Sequence, residues 1–294
     1  MRKYYTRSCN FYYGNYAKEL IEKKQALSLA GNPYIAFDQI EVFYRKNEKT
    51  VESKIYSIND LKKLDKEASQ IIKNDLGNIT RNRESVLSLK FNEPIIMGVL
   101  NVTPDSFSDG GLFFEEKKAY EQINLMIKSG ASIIDVGGES TRPGSKLINE
   151  KDEWKRIENI ISKFKKNFPK TLLSLDTRKS YIMSKGIENG VDIINDVSGL
   201  KFDKKSFDII CSKKKPFILH HMQGTPETMQ NNPTYNDVLL DIFDFFETKI
   251  NFCKSKNYKK EFIILDPGIG FGKNLDHNLR LMSKISIFHT LGCP

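Results

Sequence analysis

After residue 90, short apolar runs alternate with segments of helical periodicity. The runs are short and largely apolar, which is typical of parallel strands that are buried on both faces. Six runs are predicted as strands: Ile95–Leu100, Ala131–Val136, Thr171–Leu175, Val191–Ile194, Pro216–Leu219 and Phe262–Leu265. Helical patterns separate most of them: Glu115–Ser129, Glu150–Asn167, Ser180–Asn189 and Tyr235–Lys256. Strands that alternate with helices predict an α/β fold with a parallel sheet, and the repetition predicts a TIM-type (β/α) barrel.

The predicted barrel is incomplete. A closed barrel of this type needs about eight strands, and six are visible here. The sequence stops at Leu291–Pro294, where a seventh strand would begin. We therefore expect residues 91–294 to form a barrel domain that lacks its last two strands.

Residues 1–90 have a different pattern, rich in aromatic and charged side chains, and predict a small N-terminal α+β extension. We expect a helix over Tyr16–Ala30, strands over Ile35–Tyr44 and Lys54–Tyr56, and a second helix that begins after Asp60. No catalytic constellation is visible in this extension, so the sequence does not show its role.

Composition excludes several classes of function. The net charge is +9, but the basic residues are scattered and no nucleic-acid-binding signature accompanies them. The four cysteines are far apart and form no CxxC motif, which indicates reduced thiols. Neither a signal peptide nor a membrane-spanning run is visible. We expect a soluble, cytoplasmic protein that binds neither nucleic acid nor membrane.

Polar side chains stand at the carboxyl ends of the predicted strands. The first strand runs into a loop of small polar residues that begins at Asn101. Four further strands end in a carboxylate or an amide: Asp135, Asp176, Asn195 and Asp266. A single Asp after a strand is commonly a helix N-cap. Four such groups at one edge of a sheet would converge on one cavity and could bind a planar ligand that is rich in hydrogen-bond donors.

Two other motifs are weak evidence for phosphate or zinc binding. Gly268–Lys273 is glycine-rich, but it departs from both common phosphate-binding patterns. His220 and His221 could suggest zinc, yet adjacent residues of a strand point to opposite faces. We therefore interpret these histidines as structural or substrate-lining side chains.

Six motifs, in this order, resemble those of the dihydropteroate synthases of folate biosynthesis: IMGVLNVTPDSFSDGG, IDVGGESTRPGS, LDTRK, INDVSG, HMQG and LDPGIGFGK. The resemblance covers about residues 94–294. It implies a transferase that joins 4-aminobenzoate to 6-hydroxymethyl-7,8-dihydropterin diphosphate and releases pyrophosphate.

The resemblance also implies roles for individual residues. It implies that Asp266 accepts two hydrogen bonds from the amidine-like edge of the pterin. Other pterin contacts would come from Asp135, Asp176 and Asn195, and Asp176 would also stabilise developing positive charge. Asn101 would help to hold Mg²⁺ against the diphosphate, and Arg142 would add a cationic contact. The aminobenzoate ring would lie among Thr141, Pro143 and Phe271.

Two alternatives stay open at this point. One is a pterin-binding protein or fragment on the same barrel whose catalysis is impaired, because the family places further substrate contacts on its last strands. The other is a metal-dependent barrel hydrolase with His220 or His221 as a ligand. Family members are commonly dimers, so the resemblance also suggests a possible homodimer.

Overall fold

The computed structural model describes residues 2–48, 50–61, 64, 66–103 and 111–294, and only the backbone of residues 111–115. These residues form two compact units. The antiparallel-sheet unit comprises residues 1–92, 234–261 and 274–294, and the parallel-sheet unit comprises residues 93–233 and 262–273. The predicted domains 1–90 and 91–294 stay a prediction. None of the described helices is long and apolar enough to cross a membrane.

The described residues form ten strands and eight α-helices. The strands are β1 (Tyr4–Tyr13), β2 (Leu27–Leu29), β3 (Asn32–Arg45), β4 (Val51–Ser57), β5 (Ile96–Asn101), β6 (Ala131–Gly137), β7 (Leu172–Asp176), β8 (Ile193–Asp196), β9 (Phe217–His220) and β10 (Ile263–Asp266). The helices are α1 (Gly14–Glu22), α2 (Lys66–Thr80), α3 (Gly111–Lys128), α4 (Glu150–Asn167), α5 (Ser180–Glu188), α6 (Ser206–Ser212), α7 (Val238–Ser255) and α8 (Leu275–Ser283). A 3₁₀ helix spans Ile285–Leu291.

The six strands β5–β10 form one parallel sheet in which each strand pairs with the next along the chain. This arrangement is a half-barrel and is consistent with the TIM-type barrel that the sequence predicts. All six predicted strands are confirmed. Each ends one or two residues later than predicted, because the parallel ladder continues past the apolar run into the residues that follow it.

Helix α4 shows how one crossover helix forms and packs. The Asn149 side chain accepts a hydrogen bond from the backbone N–H of Asp152 and caps the helix. Acidic residues occupy the first turn and lysines the last, as the helix dipole favours. Its buried apolar residues recur at helical spacing: Trp154, Ile157, Ile160, Ile161 and Phe164. This apolar stripe buries one face of α4 within the parallel-sheet unit.

The antiparallel-sheet unit is built around the long strand β3. Strand β1 pairs along one edge of β3, while β2 and β4 pair with the first and second parts of the other edge. Helix α2 packs on this sheet through a shared apolar core of Phe37, Ile40, Val42, Ala68, Ile72 and Ile79.

The outer edge of β1 is covered by the 3₁₀ helix. Ser286 donates its hydroxyl to the Ser8 carbonyl, and Thr290 donates to the Thr6 carbonyl, both at 2.7 Å. These bonds satisfy carbonyls that an edge strand would otherwise leave open to pairing with another chain.

One expectation for the first 30 residues is wrong. The predicted helix over Tyr16–Ala30 ends at Glu22, and the chain then turns so that Leu27–Leu29 pairs with β3. Lys24 lies in the left-handed region (φ 58°), which a continuing helix does not allow. Pairing with β3 and packing of Leu27 and Leu29 against its core outweigh the helical preference of the segment.

Candidate active site

Three of the predicted pterin contacts meet at the carboxyl ends of β6, β7 and β8. Asn195 donates its amide to Asp135 Oδ2 at 2.9 Å, and Asp176 is the register partner of Asn195. All three side chains are buried, with residue exposures of 2% for Asp135, 8% for Asp176 and 7% for Asn195. The structure therefore brings these three side chains together, while their role in binding a ligand stays a prediction.

The carboxylates of this trio are strongly desolvated. Burial raises the pKa of Asp135, and the nearby charge of Asp266 adds to the shift. Burial also raises the pKa of Asp176 well above its usual range, and the charge of Asp135 adds to it. Among the described residues, Asp176 Oδ1 and Asn195 Oδ1 are buried without a hydrogen-bond partner. Buried acceptors of this kind are costly unless a ligand satisfies them.

Gly137 brings Asn101 next to the trio. A Cβ atom at Gly137 would lie 3.4 Å from Asp176 Oδ2 and 3.6 Å from Asn101 Oδ1. The absence of a side chain at this position therefore leaves the space between the Asp176 carboxylate and the Asn101 amide open. Residues 104–110, which belong to the predicted polar loop after Asn101, lie outside the described residues.

Asn101 and Arg142 line the same two cavities. One has a volume of about 530 Å³ and also includes residues of α3. The other has a volume of about 480 Å³ and includes Pro143 and most of the loop that follows β6. Arg142 is exposed, and Thr141 precedes it on this loop. The structure thus brings Asn101 and Arg142, the predicted diphosphate contacts, to the same cavities.

Asp266 is the last residue of β10, and Phe271 lies on the loop that follows this strand. Asp266 is half-buried, and its Oδ1 accepts a hydrogen bond from the Gly268 backbone at 2.8 Å. The Phe271 ring packs edge-on against the His220 ring, with 4.6 Å between the ring centroids. Gly268 has φ 66°, and a Cβ there would lie 2.1 Å from the His221 carbonyl oxygen. A glycine is therefore required where this loop meets the end of β9.

Lys273 holds this loop in place, a role that the sequence did not predict. Its buried ammonium donates to the carbonyls of Gly268 and Phe271, both at 2.8 Å, and to that of His221 at 3.2 Å. Burial lowers the pKa of Lys273 to about 7. A lysine directly after a glycine-rich stretch was the available signal, since such a loop has several carbonyls that need donors.

Replacing Lys273 with methionine should change how stability depends on pH. Because the folded-state pKa lies below the ordinary value, the unfolded chain binds more protons between about pH 7 and about pH 10. Wild-type stability therefore gains a contribution as the pH rises through this window, and the Lys273→Met variant loses that gain. Urea denaturation of both proteins at about pH 6 and about pH 9.5 measures the difference. If the stability of Lys273→Met changes with pH as much as that of wild type, the prediction is wrong. Lys166→Met, on the exposed face of α4, is the control.

Neither histidine at the end of β9 is arranged for metal binding. His220 is buried, and its Nδ1 lies 3.1 Å from the Val197 carbonyl. Burial lowers the pKa of His220, and it lowers the pKa of His221 to about 2. Among the described residues, no group of three His, Cys, Asp or Glu side chains could hold a metal ion. The structure therefore gives no support to zinc at these histidines.

A buried ion-pair network was also missed. It comprises Glu139, Glu153, Thr177, Arg178 and Lys179. The signal was present in α4, where Glu153 stands four residues before the buried Ile157 and so falls on the apolar face. A charged residue on such a face needs a buried partner of opposite charge.

Comparison with known proteins shows the family to which this chain belongs. Residues 97–294 match the family described as pterin binding enzyme. Within that class the chain belongs to the dihydropteroate synthase family.

The curated relatives and the solved structures agree. The dihydropteroate synthase of Escherichia coli K12 is 41% identical over 207 residues, which are 70% of this chain and 73% of the relative. That of Haemophilus influenzae is 39% identical over 206 residues, covering 70% of this chain and 74% of the relative.

Among solved structures, a Yersinia pestis dihydropteroate synthase with a sulfonamide drug complex has a TM-score of 0.66 and 37% identity, and covers 72% of this chain and 77% of that one. The Xanthomonas albilineans enzyme with 4-aminobenzoic acid has a TM-score of 0.65 and 32% identity, and covers 70% of this chain and 72% of that one.

Proposed function

We propose that this protein is a dihydropteroate synthase. The amine nitrogen of 4-aminobenzoate attacks the methylene carbon of 6-hydroxymethyl-7,8-dihydropterin diphosphate. The carbon–oxygen bond to the diphosphate breaks, pyrophosphate leaves, and the amine loses a proton. The observation that carries the proposal is the buried trio of Asp135, Asp176 and Asn195, in which Oδ1 of Asp176 and Oδ1 of Asn195 have no hydrogen-bond partner among the described residues.

The trio and Asp266 suit the donor-rich rim of a pterin. Asp266 would accept from the 2-amino group and the adjacent ring N–H, and Asp176 and Asn195 would bind other ring nitrogens. Because each unpaired buried group costs about 1–3 kcal/mol, a ring without these donors would bind poorly. The desolvated Asp176 carboxylate would also stabilise positive charge that develops on the pterin as the diphosphate departs.

The leaving group needs positive charge, which Arg142 would supply directly and Asn101 would help to supply by holding Mg²⁺. The described residues contain no cage of carboxylates, but Mg²⁺ is commonly held by few protein ligands together with substrate phosphates. The Asn101 oxygen, beside the open space at Gly137, fits such a role. Bound Mg²⁺ would neutralise charge on the diphosphate. The exposed Arg142 would contact the same group from the loop after β6.

The aminobenzoate would lie between two loops. Thr141 and Pro143 would contact it from the loop after β6, and Phe271 would contact it from the loop after β10. Closing these loops over the substrates would exclude water, which otherwise competes with the amine for the electrophilic methylene carbon.

Calorimetric binding of a dihydropterin diphosphate analogue tests the proposal. We expect binding that strengthens with Mg²⁺ and falls about tenfold or more in Asp266→Ala, which loses two hydrogen bonds to the ligand. Asp208→Ala on the exposed part of α6 is the control and should bind normally. A folded protein that binds no analogue would refute the proposal.

The same preparation separates the alternatives. Binding without pyrophosphate release on addition of 4-aminobenzoate would favour the catalytically impaired pterin-binding protein. Stoichiometric zinc in the purified protein would favour the metal-dependent hydrolase. We further propose that the six parallel strands belong to an eight-stranded barrel, and that the protein is cytoplasmic and forms a homodimer.

A further inference from the structure

We infer that Lys179 is a positioning residue that clamps the two ends of the loop formed by residues 140–147. This inference rests on the proposed function, because that loop carries the predicted contacts to aminobenzoate and diphosphate. Lys179 itself touches no substrate position. It lies at the start of α5, and its side chain is buried.

The clamp consists of four hydrogen bonds at the base of the loop. Lys179 Nζ donates to Glu139 Oε1 at 3.0 Å, just before the loop, and to the Ile148 carbonyl at 2.8 Å, just after it. The Ile148 backbone N–H donates to the same Glu139 oxygen at 3.0 Å. Arg178 Nε donates to the other Glu139 oxygen at 2.9 Å. Both ends of the loop are therefore tied to the same buried ammonium and carboxylate.

The clamp is also fixed to helix α4. Lys179 Nζ donates to Glu153 Oε2 at 2.5 Å, and the Thr177 hydroxyl donates to Glu153 Oε1 at 2.6 Å. Two cations thus face two carboxylates in a buried, charge-balanced network. Charged hydrogen bonds in such surroundings are stronger than exposed ones and lock the geometry of the groups they join.

The loop itself has little else to hold it. Within the loop, the Ser145 hydroxyl donates to the Ser140 carbonyl at 2.6 Å, and the Gly144 N–H donates to the Pro226 carbonyl outside the loop at 3.0 Å. Arg142, Pro143 and Lys146 are exposed. Opening the base would therefore release the segment that is proposed to close over the substrates, while the trio of Asp135, Asp176 and Asn195 would stay in place.

Limited trypsin digestion of the full chain tests the clamp without reference to activity. Trypsin cuts after Lys146, whereas the bond after Arg142 precedes a proline. We expect Lys179→Met to be cleaved between Lys146 and Leu147 about tenfold faster than wild type, because cleavage follows the population of the open loop. Lys179→Arg should restore much of the protection.

The matched control is Lys165→Met. Like Lys179, Lys165 pairs with a carboxylate, that of Asp192, and donates to a carbonyl, that of Thr171 at 2.9 Å, but these groups precede β7 and β8. Because these contacts lie at the opposite end of the sheet, the Lys165→Met substitution should leave the rate of cleavage after Lys146 unchanged. If Lys179→Met does not fold, the double variant Lys179→Met with Glu153→Gln removes the carboxylate left unpaired and serves instead.

Kinetics then distinguish positioning from general damage. We expect the KM for aminobenzoate to rise about tenfold in Lys179→Met, while the Kd of the pterin diphosphate analogue in the absence of Mg²⁺ changes less than about twofold. Unchanged trypsin cleavage in a folded variant, or an equal loss of pterin affinity, would overturn the inference. A wild-type chain that releases no pyrophosphate would refute the proposed function instead, and the trypsin result would still decide the clamp.

Discussion

Replacing Asp176 with asparagine is expected to lower kcat/KM for pteroate formation at least about 100-fold. The change removes a desolvated negative charge that faces developing positive charge, and groups in this role are commonly worth about 10²–10³ in rate. It also places an amide N–H₂ where the pterin needs an acceptor. The measurement is steady-state pyrophosphate release, together with calorimetry of the diphosphate analogue.

The same substitution should stabilise the free protein at neutral pH. Burial and neighbouring carboxylates raise the pKa of Asp176, so the folded state binds its proton more tightly than the unfolded state does. A carboxyl with this shift adds stability at low pH and loses it as the pH rises from about 4 through the folded-state pKa. The amide of the variant does not titrate, so Asp176→Asn should gain stability relative to wild type as the pH rises through this window.

Asp192→Asn is the matched control for this prediction. Asp192 stands just before β8, and its Oδ2 accepts a hydrogen bond from the Leu173 backbone at 2.8 Å at the other end of the sheet. The control should keep analogue binding and activity. If Asp176→Asn retains wild-type turnover, the carboxylate has no catalytic role. If the free energy of unfolding of the variant changes between pH 4 and pH 7 as much as that of wild type, the carboxylate has no effect on stability.

Replacing Arg45 with methionine is expected to destabilise the antiparallel-sheet unit by about 3 kcal/mol. Arg45 on β3 is a buried cation that pairs with two carboxylates of α7, Asp244 at 3.0 Å and Asp241 at 3.3 Å. Its guanidinium also lies 5.3 Å from the centre of the Tyr5 ring. The Tyr5 hydroxyl donates to Asp244 at 2.8 Å. Removal of the cation leaves these partly buried carboxylates uncompensated.

The neighbouring residue supplies the control. Lys46 pairs with Glu52 at 2.6 Å, but both side chains are about half exposed, so Lys46→Met should cost less than about 1 kcal/mol. Urea denaturation followed by circular dichroism should show a lower midpoint, by about 1 M, for Arg45→Met alone. Equal midpoints for the two variants would contradict the prediction.

The single tryptophan adds a second observable. Trp154 lies in α4 of the parallel-sheet unit and is buried, so its fluorescence reports unfolding of that unit. If Arg45→Met lowers the midpoint measured by circular dichroism but not by fluorescence, the two units unfold separately. Coincident midpoints would mean that they unfold together.

The sequence predicted the parallel sheet well because its signal is local. Each strand of β5–β10 is a short, largely apolar run, and the polar or glycine residues that follow each run mark the carboxyl end of the strand. Helix α4 was predicted with the bounds that the structure shows, since its cap, its acidic first turn and its apolar stripe all agree. The position of Asp135, Asp176 and Asn195 on neighbouring strands followed from this order.

Strand β1 could not be predicted in the same way. It buries polar side chains, including Thr6 and Ser8, and its burial does not alternate along the strand. The partners of these residues are distant in sequence: the Thr6 hydroxyl donates to Asp75, and the carbonyls of Thr6 and Ser8 accept from Thr290 and Ser286, about 280 positions later in the chain. The helical expectation for Tyr16–Ala30 failed for a related reason, because pairing with β3 decides the conformation of Leu27–Leu29.

By itself the sequence determined the order of strands and helices in the parallel sheet, the edge at which its polar residues gather, and the resemblance to one enzyme family. These depend on periodicity and on residue type, which neighbouring positions show. Only the tertiary structure decided that Lys179 joins Glu139, Ile148 and Glu153 at the base of a loop, and that Lys273 holds the loop after β10. Such contacts depend on which side chains become buried and on which partners folding brings together, and neighbouring positions of the chain do not show either.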